Sequence, residues 1–423
     1  MSTILDTLRE RGLVDAMTSP ELERALEKKV TVYAGFDPTS DSLQAGNYVT
    51  IMALAHFQRA GHRVIALVGG ATGLIGDPSG KSVERKMLTV EQVQKNVEGI
   101  KENLSRFLKF DDTDNPAILV NNYDWYKDFS AIGFLRDVCV NFRVPAMLSK
   151  ESVKKRLEAT DGGMTFTEYS YQILQGYDFL HLYDAYGCTL EIGGSDQWGN
   201  ITSGTDLVHR LRGTEVYGLT FPLVCDSQGR KFGKSEGNAM FLDARKTSCY
   251  DFYQFFLRSE DADVIRYLRT FTFLPMERIA ELEAELKANP GARTAQRVLA
   301  EEVVRAVHGE AALAAAKQAS EALFGGSIAG LDADALERVF KDAPSAELAR
   351  DAVAGQPILK VLVASGLCAS NGDARRLVQQ GGCQVNGQRV SDPAATIAAD
   401  DLIDGRLLVL KSGKKNYRLV KVS

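Results

Sequence analysis

Arg63-Val64-Ile65-Ala66-Leu67-Val68-Gly69-Gly70-Ala71-Thr72-Gly73 decides the fold class of this 423-residue chain. After Arg63 the apolar residues run without alternation, and then glycines take over. A strand that is apolar on both faces is covered on both faces, as in a parallel sheet. Three further stretches read the same way: Val30 to Phe36, Ile118-Leu119-Val120 and Thr189 to Ile192. Helical patterns separate them, as with Val49, Met52, Ala53, Ala55, His56 and Arg59. This alternation predicts an α/β domain with a parallel sheet. Ligands in such sheets bind beyond the carboxyl ends of the strands. Those ends are Gly35-Phe36-Asp37, Gly69 to Asp77 and Gly193 to Gln197, all rich in Gly and Asp.

Two loops carry the chemistry. Gly193-Gly194-Ser195-Asp196-Gln197-Trp198-Gly199-Asn200 closes an apolar run and pushes polar side chains to its tip, which suits a small polar ligand. Lys231-Phe232-Gly233-Lys234-Ser235 places two ammonium groups around a glycine, which suits a mobile clamp on a polyphosphate. An exposed lysine-rich turn is the simpler reading, and the three Gly/Asp-rich strand ends weigh against it. No G-x-x-x-x-G-K-[ST] run is present.

Composition narrows the classes. At 45% hydrophobic and 25% charged residues the chain reads as a globular protein of two or three domains. No apolar run approaches the roughly 20 residues of a membrane span. The start, Met1-Ser2-Thr3-Ile4-Leu5-Asp6, lacks a signal-peptide pattern, so a cytoplasmic location is expected. The six cysteines, at 139, 188, 225, 249, 368 and 383, include no C-x-x-C pair and read as free thiols. The net charge of −5 hides an asymmetry: from Gln356 onward ten Lys and Arg face five Asp, so this end carries +5 and the rest −10. A basic end on an acidic body fits polyanion binding, with a solvated surface as the plain alternative.

The pattern turns helical from about Ser248 to Phe324, with Val303, Val304 and Val307 on one face and an alanine-rich run from Ala311 to Ala322 before Gly325-Gly326. Residues 326–355 read as a weakly structured connector. Beyond it come a short helix at Pro357 to Ala364, a capped helix opening at Ser370-Asn371-Gly372-Asp373, and a hairpin whose Asn386-Gly387 predicts a type I′ turn.

Several long stretches resemble the tyrosyl-tRNA synthetases, a family of class I aminoacyl-tRNA synthetases. They are Tyr33-Ala34-Gly35-Phe36-Asp37-Pro38-Thr39, the run from Gly69 to Gly80, Tyr171 through Gln175 to Asp178, the Gly193 to Asn200 loop, and Lys231 to Ser235. The last is similar to the family's Lys-Met-Ser-Lys-Ser signature, and the tail resembles an S4-type RNA-binding domain. The resemblance implies a Rossmann-like catalytic domain over 1–247 with an insertion at about 115–190. An α-helical domain over 248–325, a linker at 326–355 and an α+β S4-like domain over 356–423 would follow.

It also implies activation of L-tyrosine by ATP, with Mg2+ accompanying the nucleotide, no tightly held protein metal, and transfer to tRNA(Tyr) by a homodimer. Tyr33 and Asp178 would meet the substrate hydroxyl; Tyr171, Gln175 and Asp77 would surround its amino group, with Gln197 beside them. Lys231, Lys234, Thr39, Gln44 and Asn47 would serve catalysis. Gly35, Asp37, Gly46, Gly194, Asp196, Lys234 and Ser235 would hold ATP. Arg375, Arg376, Lys414 and Lys415 would bind tRNA. Taken alone, Tyr33 and Tyr171 read equally as core aromatics, whereas Asp178 within Tyr177-Asp178-Phe179-Leu180 demands a buried partner.

One departure stands out. Where class I enzymes carry His-Ile-Gly-His or a near variant, this chain reads Gln44-Ala45-Gly46-Asn47. An amide donates to a phosphate oxygen but carries no charge. The departure admits a second class of protein, a synthetase-derived RNA-binding protein with weak catalysis. A tryptophan-specific enzyme is a third reading, disfavoured by Tyr33 with Asp178.

Overall fold

The computed structural model describes residues 3–79, 88–111, 113–158, 164–235, 238–322, 327–341, 343–413 and 416–423. The chain forms two compact units, one of residues 1–247 with 258–307, the other of 248–257 with 308–423.

The first unit is built on a six-stranded sheet: β1 (Ala16–Met17), β2 (Thr31–Phe36), β3 (Arg63–Val68), β4 (Ile118–Asn121), β5 (Cys188–Gly194) and β6 (Tyr217–Phe221). The spatial order is β1-β6-β5-β2-β3-β4. All neighbours pair in parallel except β1, which runs antiparallel along the edge of β6. The α/β parallel sheet expected from the unalternated strands is therefore present. The central strands carry its physical reason: Val32, Tyr33 and Ala34 of β2 and Val64 to Val68 of β3 are all buried. Sequence reading missed β6 and the two-residue edge at β1.

Three helices matter for the site. Helix α1 (Tyr48–Arg59) follows β2 and buries nearly its whole length, from Tyr48 and Val49 through Phe57. Helix α2 (Phe166–Tyr186) opens on a Thr165 cap with Glu168 returning the bond, and stops at Gly187 in the left-handed region. Helix α3 (Trp198–Arg212) links β5 to β6. Strand order runs outward from β2 in one direction through β3 and β4, and in the other through β5 and β6. The reversal lies between β2 and β5, so the crevice for a ligand opens beyond Phe36 and Gly194.

The second unit pairs helices with a five-stranded sheet. Its members are α4 (Ala333–Val339), β7 (Ser345–Leu348), α5 (Asn371–Gln379), β8 (Cys383–Val385), β9 (Gln388–Val390), β10 (Leu407–Ser412) and β11 (Asn416–Val422), with strand order β9-β8-β10-β11-β7. The expected hairpin joins β8 to β9, and both central residues have positive φ, Asn386 at 49° and Gly387 at 80°, as a type I′ turn requires. Ser370 caps α5 by accepting from the Asp373 N–H. The stretch read as a weakly structured connector instead supplies α4 and β7. Leu331, Leu336, Val339 and Phe340 are buried at helical spacing, and β7 pairs in parallel with β11. Gly325-Gly326, expected to stop the preceding helix, lie outside the described residues. All six cysteines are free. Among the described residues no helix is long and apolar enough to cross a membrane.

Candidate active site

The ends of β2, β3 and β4 meet the face of α2 through one run of hydrogen bonds. Tyr171, Gln175 and Asp178 stand at i, i+4 and i+7 on α2 and so share a face. The Tyr171 hydroxyl donates to Asp37 Oδ2 at 2.7 Å, and Thr72 Oγ1 donates to Asp37 Oδ1 at 2.8 Å. Asn122 Nδ2 donates both to Thr72 Oγ1 and to Asp178 Oδ2, each at 3.0 Å. The same amide accepts the Ala71 N–H at 2.7 Å, and Trp125 Nε1 donates to Asp178 Oδ1 at 2.9 Å. Gly69 is needed where this run crosses the β3 turn: a Cβ there would collide with Asp37 Oδ1 and Thr72 Oγ1.

Asp178 is 2% exposed, and burial pushes its carboxyl up to about 8 against the pull of its Asn122 and Trp125 donors. Tyr33, from the centre of β2, is equally enclosed; its hydroxyl has no hydrogen-bond partner, and burial drives its pKa well above the ordinary phenol value. The carboxyls of Glu191 and Asp178 raise it further, Glu191 both by its charge and as a hydrogen-bonding neighbour, and Glu191 Oε2 is itself without a partner of full hydrogen-bond geometry. Such an orphaned buried donor fits a ligand that brings a hydroxyl of its own.

A second cluster lies between the β3 turn and the β5 loop. Asp77, 7% exposed, accepts from the Ser79 N–H at 2.9 Å, from Gln197 Nε2 at 2.8 Å and from Asn200 Nδ2 at 3.4 Å. Asn200 also donates to Gln197 Oε1 at 3.1 Å.

Sequence reading overlooked Glu191. It lies opposite Tyr33 in the β2–β5 register, is 1% exposed, and accepts from Gln175 Nε2 at 2.8 Å. Burial pushes its carboxyl up to about 7, with Gln175 and the nearby Lys150 charge drawing it back. Lys150 is itself brought down to about 8 by burial, and its ammonium donates to the Gly199 carbonyl and the Ser203 hydroxyl. The signal was available: a carboxylate inside Leu190-Glu191-Ile192 is the same anomaly that drew attention to Asp178. Asn122 and Trp125 carried no such signal.

The Gln44–Asn47 turn and the lysine loop are brought together. Ala45 N–H donates to the Met240 carbonyl at 2.8 Å, Met240 N–H donates to the Gly233 carbonyl at 2.8 Å, and Gln44 bridges Phe241. Gly233 has φ +89°, and a Cβ there would sit 2.9 Å from Gly46 N, so only glycine allows this approach. The Phe232 ring stacks on Phe271 at 4.6 Å, and Phe271 stacks on Tyr48 at 5.4 Å, next in chain to Asn47. Asn47 Oδ1 accepts the Gln44 N–H at 3.1 Å, so its amide braces the turn. Gly46, Asn47, Thr39, Gly35 and Lys231 are exposed; Gln44, Gly194 and Asp196 are half-buried. Lys234 and Ser235 pair with Asn238–Ala239 as a short ribbon, and their side chains lie outside the described part. In the second unit Arg375 and Arg376 are exposed on α5, with Arg376 paired to Asp373, whereas Lys414 and Lys415 lie outside the described residues.

The Asp178 environment sets a pH dependence. Its folded pKa, about 8, lies above the ordinary 3.8, so the fold holds a proton that the unfolded chain has released. Stability must then fall as pH rises between these values. The melting temperature of the natural protein minus that of Asp178→Asn, followed from about pH 5 to about pH 8, should drop by at least about 2 °C. A difference that stays constant with pH would contradict the protonated carboxyl.

With this geometry in place, comparison with known proteins is direct. A family model described as class I tRNA synthetases (W and Y) matches residues 25–325, and one described as a tyrosine–tRNA ligase SYY-like C-terminal domain matches residues 335–420. The chain is 49% identical over 423 residues to the tyrosine–tRNA ligase of Protochlamydia amoebophila, covering 100% of this chain and 99% of that one. It is 50% identical over 421 residues to that of Bacillus caldotenax, covering 99% of each. Among solved structures, a C-terminally truncated mitochondrial tyrosyl-tRNA synthetase of Aspergillus nidulans matches with a TM-score of 0.69 at 31% identity, over 77% of this chain and 95% of that one. With both halves matched and the likeness running end to end, the chain belongs to the class I tRNA synthetases of the tryptophan and tyrosine family, on its tyrosine–tRNA ligase branch.

Proposed function

We propose that this chain activates L-tyrosine with ATP, giving tyrosyl-adenylate and pyrophosphate, and then passes tyrosine to the 3′ end of tRNA(Tyr). The observation that carries the reading is the orphaned Tyr33 hydroxyl beside Asp178, in a pocket closed by the Tyr171–Gln175–Asp178 face. A phenol entering there supplies the partner that Tyr33 lacks. At the other end of the pocket Asp77, with Gln197 on it, offers acceptors for an ammonium group. The tyrosine carboxylate attacks the α-phosphorus, a P–O bond forms, and the bond to the pyrophosphate oxygen breaks. No proton needs removing from the nucleophile, so the work is positioning and charge stabilisation. ATP enters as its Mg2+ complex. The residues we assign to its binding are Gly35, Asp37, Gly46, Gly194, Asp196 and Ser235, and those we assign to its phosphates are Thr39, Gln44, Asn47, Lys231 and Lys234. In the second step a ribose hydroxyl of the tRNA end attacks the adenylate carbonyl and AMP leaves.

The RNA-binding reading without catalysis is not favoured. Close identity to named tyrosine–tRNA ligases extends over the whole chain, and the Gln44–Asn47 turn sits against the lysine loop. The neutral amides place the charge-stabilising burden on the two lysines. Lys231→Ala should lower tyrosine-dependent ATP–pyrophosphate exchange by about 10²–10³-fold while leaving tyrosine affinity nearly unchanged. Loss of tyrosine affinity with an intact rate would refute the role, and exchange driven equally by tryptophan or phenylalanine would refute the substrate.

The second unit is the proposed tRNA-binding part. The +5 charge of its residues 356–423 and the exposed Arg375 and Arg376 support contacts to phosphates. The double variant Arg375→Ala/Arg376→Ala should reduce tRNA charging at moderate salt about tenfold and leave pyrophosphate exchange intact. Unchanged charging and an unchanged salt slope would remove these two from the interface.

The stretch from the end of β4 through the first residue of α2 supports self-association. Ile132, Val140, Val144 and Phe166 remain 72%, 59%, 57% and 73% exposed, an uncommon density of large apolar side chains in water. A second copy of the chain is the proposed cover. Sedimentation should report a dimer for the natural protein and a monomer for Ile132→Asp/Val144→Asp; a natural monomer overturns it.

A further inference from the structure

Glu191 is the most enclosed carboxylate at the site, 1% exposed against 2% for Asp178 and 7% for Asp77. A glutamine would fill the same space without the cost of burying a charge. What an ionised carboxylate offers that an amide does not is an acceptor whichever oxygen faces Gln175, so the group there is never a donor; its second oxygen, Oε2, has no hydrogen-bond partner. Its Oε1 receives Gln175 Nε2 at 2.8 Å, while the Lys150 charge nearby favours the ionised form. The Gln175 amide is planar, so with its NH2 committed to Glu191 its carbonyl oxygen lies on the opposite branch.

We propose that Glu191 is a positioning residue that locks the Gln175 amide with its carbonyl oxygen presented to the substrate, so that the pocket selects an amino acid bearing an α-ammonium group. The inference rests on the reading of this pocket as the tyrosine site. An amide free to turn would present NH2 half the time, setting donor against donor, and a buried ammonium left without an acceptor loses much of its binding. The fixed acceptor thus supplies discrimination against phenols that lack the amino group.

The test compares equilibrium binding of L-tyrosine and of 3-(4-hydroxyphenyl)propionate, its deamino analogue, to the full-length protein. The natural protein should prefer tyrosine. Glu191→Gln should weaken tyrosine by about tenfold or more and leave the analogue within about twofold, collapsing the preference. The double variant Glu191→Gln/Gln175→Glu puts an acceptor at 175 that needs no orienting, and should restore the preference for tyrosine. Equal weakening of both ligands in Glu191→Gln, or an unchanged preference, overturns the positioning role. If Glu191→Gln fails to fold, the double variant alone decides: the preference kept supports the role, the preference lost overturns it. A natural protein that binds tyrosine no better than the analogue refutes the tyrosine-site reading itself, which separates the two failures.

Discussion

A run of hydrogen bonds that begins and ends on the same helix holds the site in shape. It leaves α2 at Tyr171, crosses Asp37 at the end of β2, Thr72 after β3 and Asn122 after β4, and returns to α2 at Asp178. Each member is short and polar and is pinned by its neighbours, so no side chain of the run turns without breaking a bond to another. Strand ends are where a parallel sheet offers unpaired backbone and space. Here that space is filled by the network, and beside it the Tyr33 hydroxyl and Glu191 Oε2 are buried without a hydrogen-bond partner. A group entering there either pairs with these atoms or leaves buried polar atoms unpaired.

Two carboxyls, Asp178 and Glu191, are enclosed in the same pocket, and burial raises both. They are handled differently. Asp178 is surrounded by neutral donors, the Asn122 amide and the Trp125 indole, whereas Glu191 has the Lys150 charge nearby. The first arrangement tolerates a proton on the carboxyl, and the second favours its loss. The pocket therefore offers a hydroxyl-matched end and an anionic support under Gln175 within one apolar shell.

The Gln44–Asn47 turn lacks the charge that histidines would bring. Asn47 spends its amide oxygen on the Gln44 backbone, which stabilises the turn itself. The compensation visible in the fold is mechanical: Phe232, Phe271 and Tyr48 stack so that the lysine loop and the turn are held to the same aromatic column. Gly233 permits contact with Gly46 that any side chain would prevent. The two segments differ in what they carry: Lys231–Ser235 holds two lysines, and Gln44–Asn47 is a neutral turn.

What the sequence determined alone were the features whose causes are local. Thr31–Phe36 and Arg63–Val68 are strands because predominantly apolar, β-rich runs bury on both faces. Asn386-Gly387 turns because its residues tolerate positive φ, and Ser370 caps a helix because its oxygen reaches a free N–H three residues on. The three Gly/Asp-rich strand ends were legible for the same reason, as was the isolated charge of Asp178. Tertiary structure decided what depends on strand order. Glu191 gained its meaning only when β5 was placed beside β2, setting it opposite Tyr33 and under Gln175. Asn122 became a junction only because β4 pairs with β3, bringing it to Thr72 and Asp178 across 50 and 56 residues of chain. The β1 edge and the segment from 333 to 348 were unreadable because two- and four-residue strands carry too little pattern of their own. Their pairing partners, β6 and β11, lie far along the chain, and only the folded sheet supplies them.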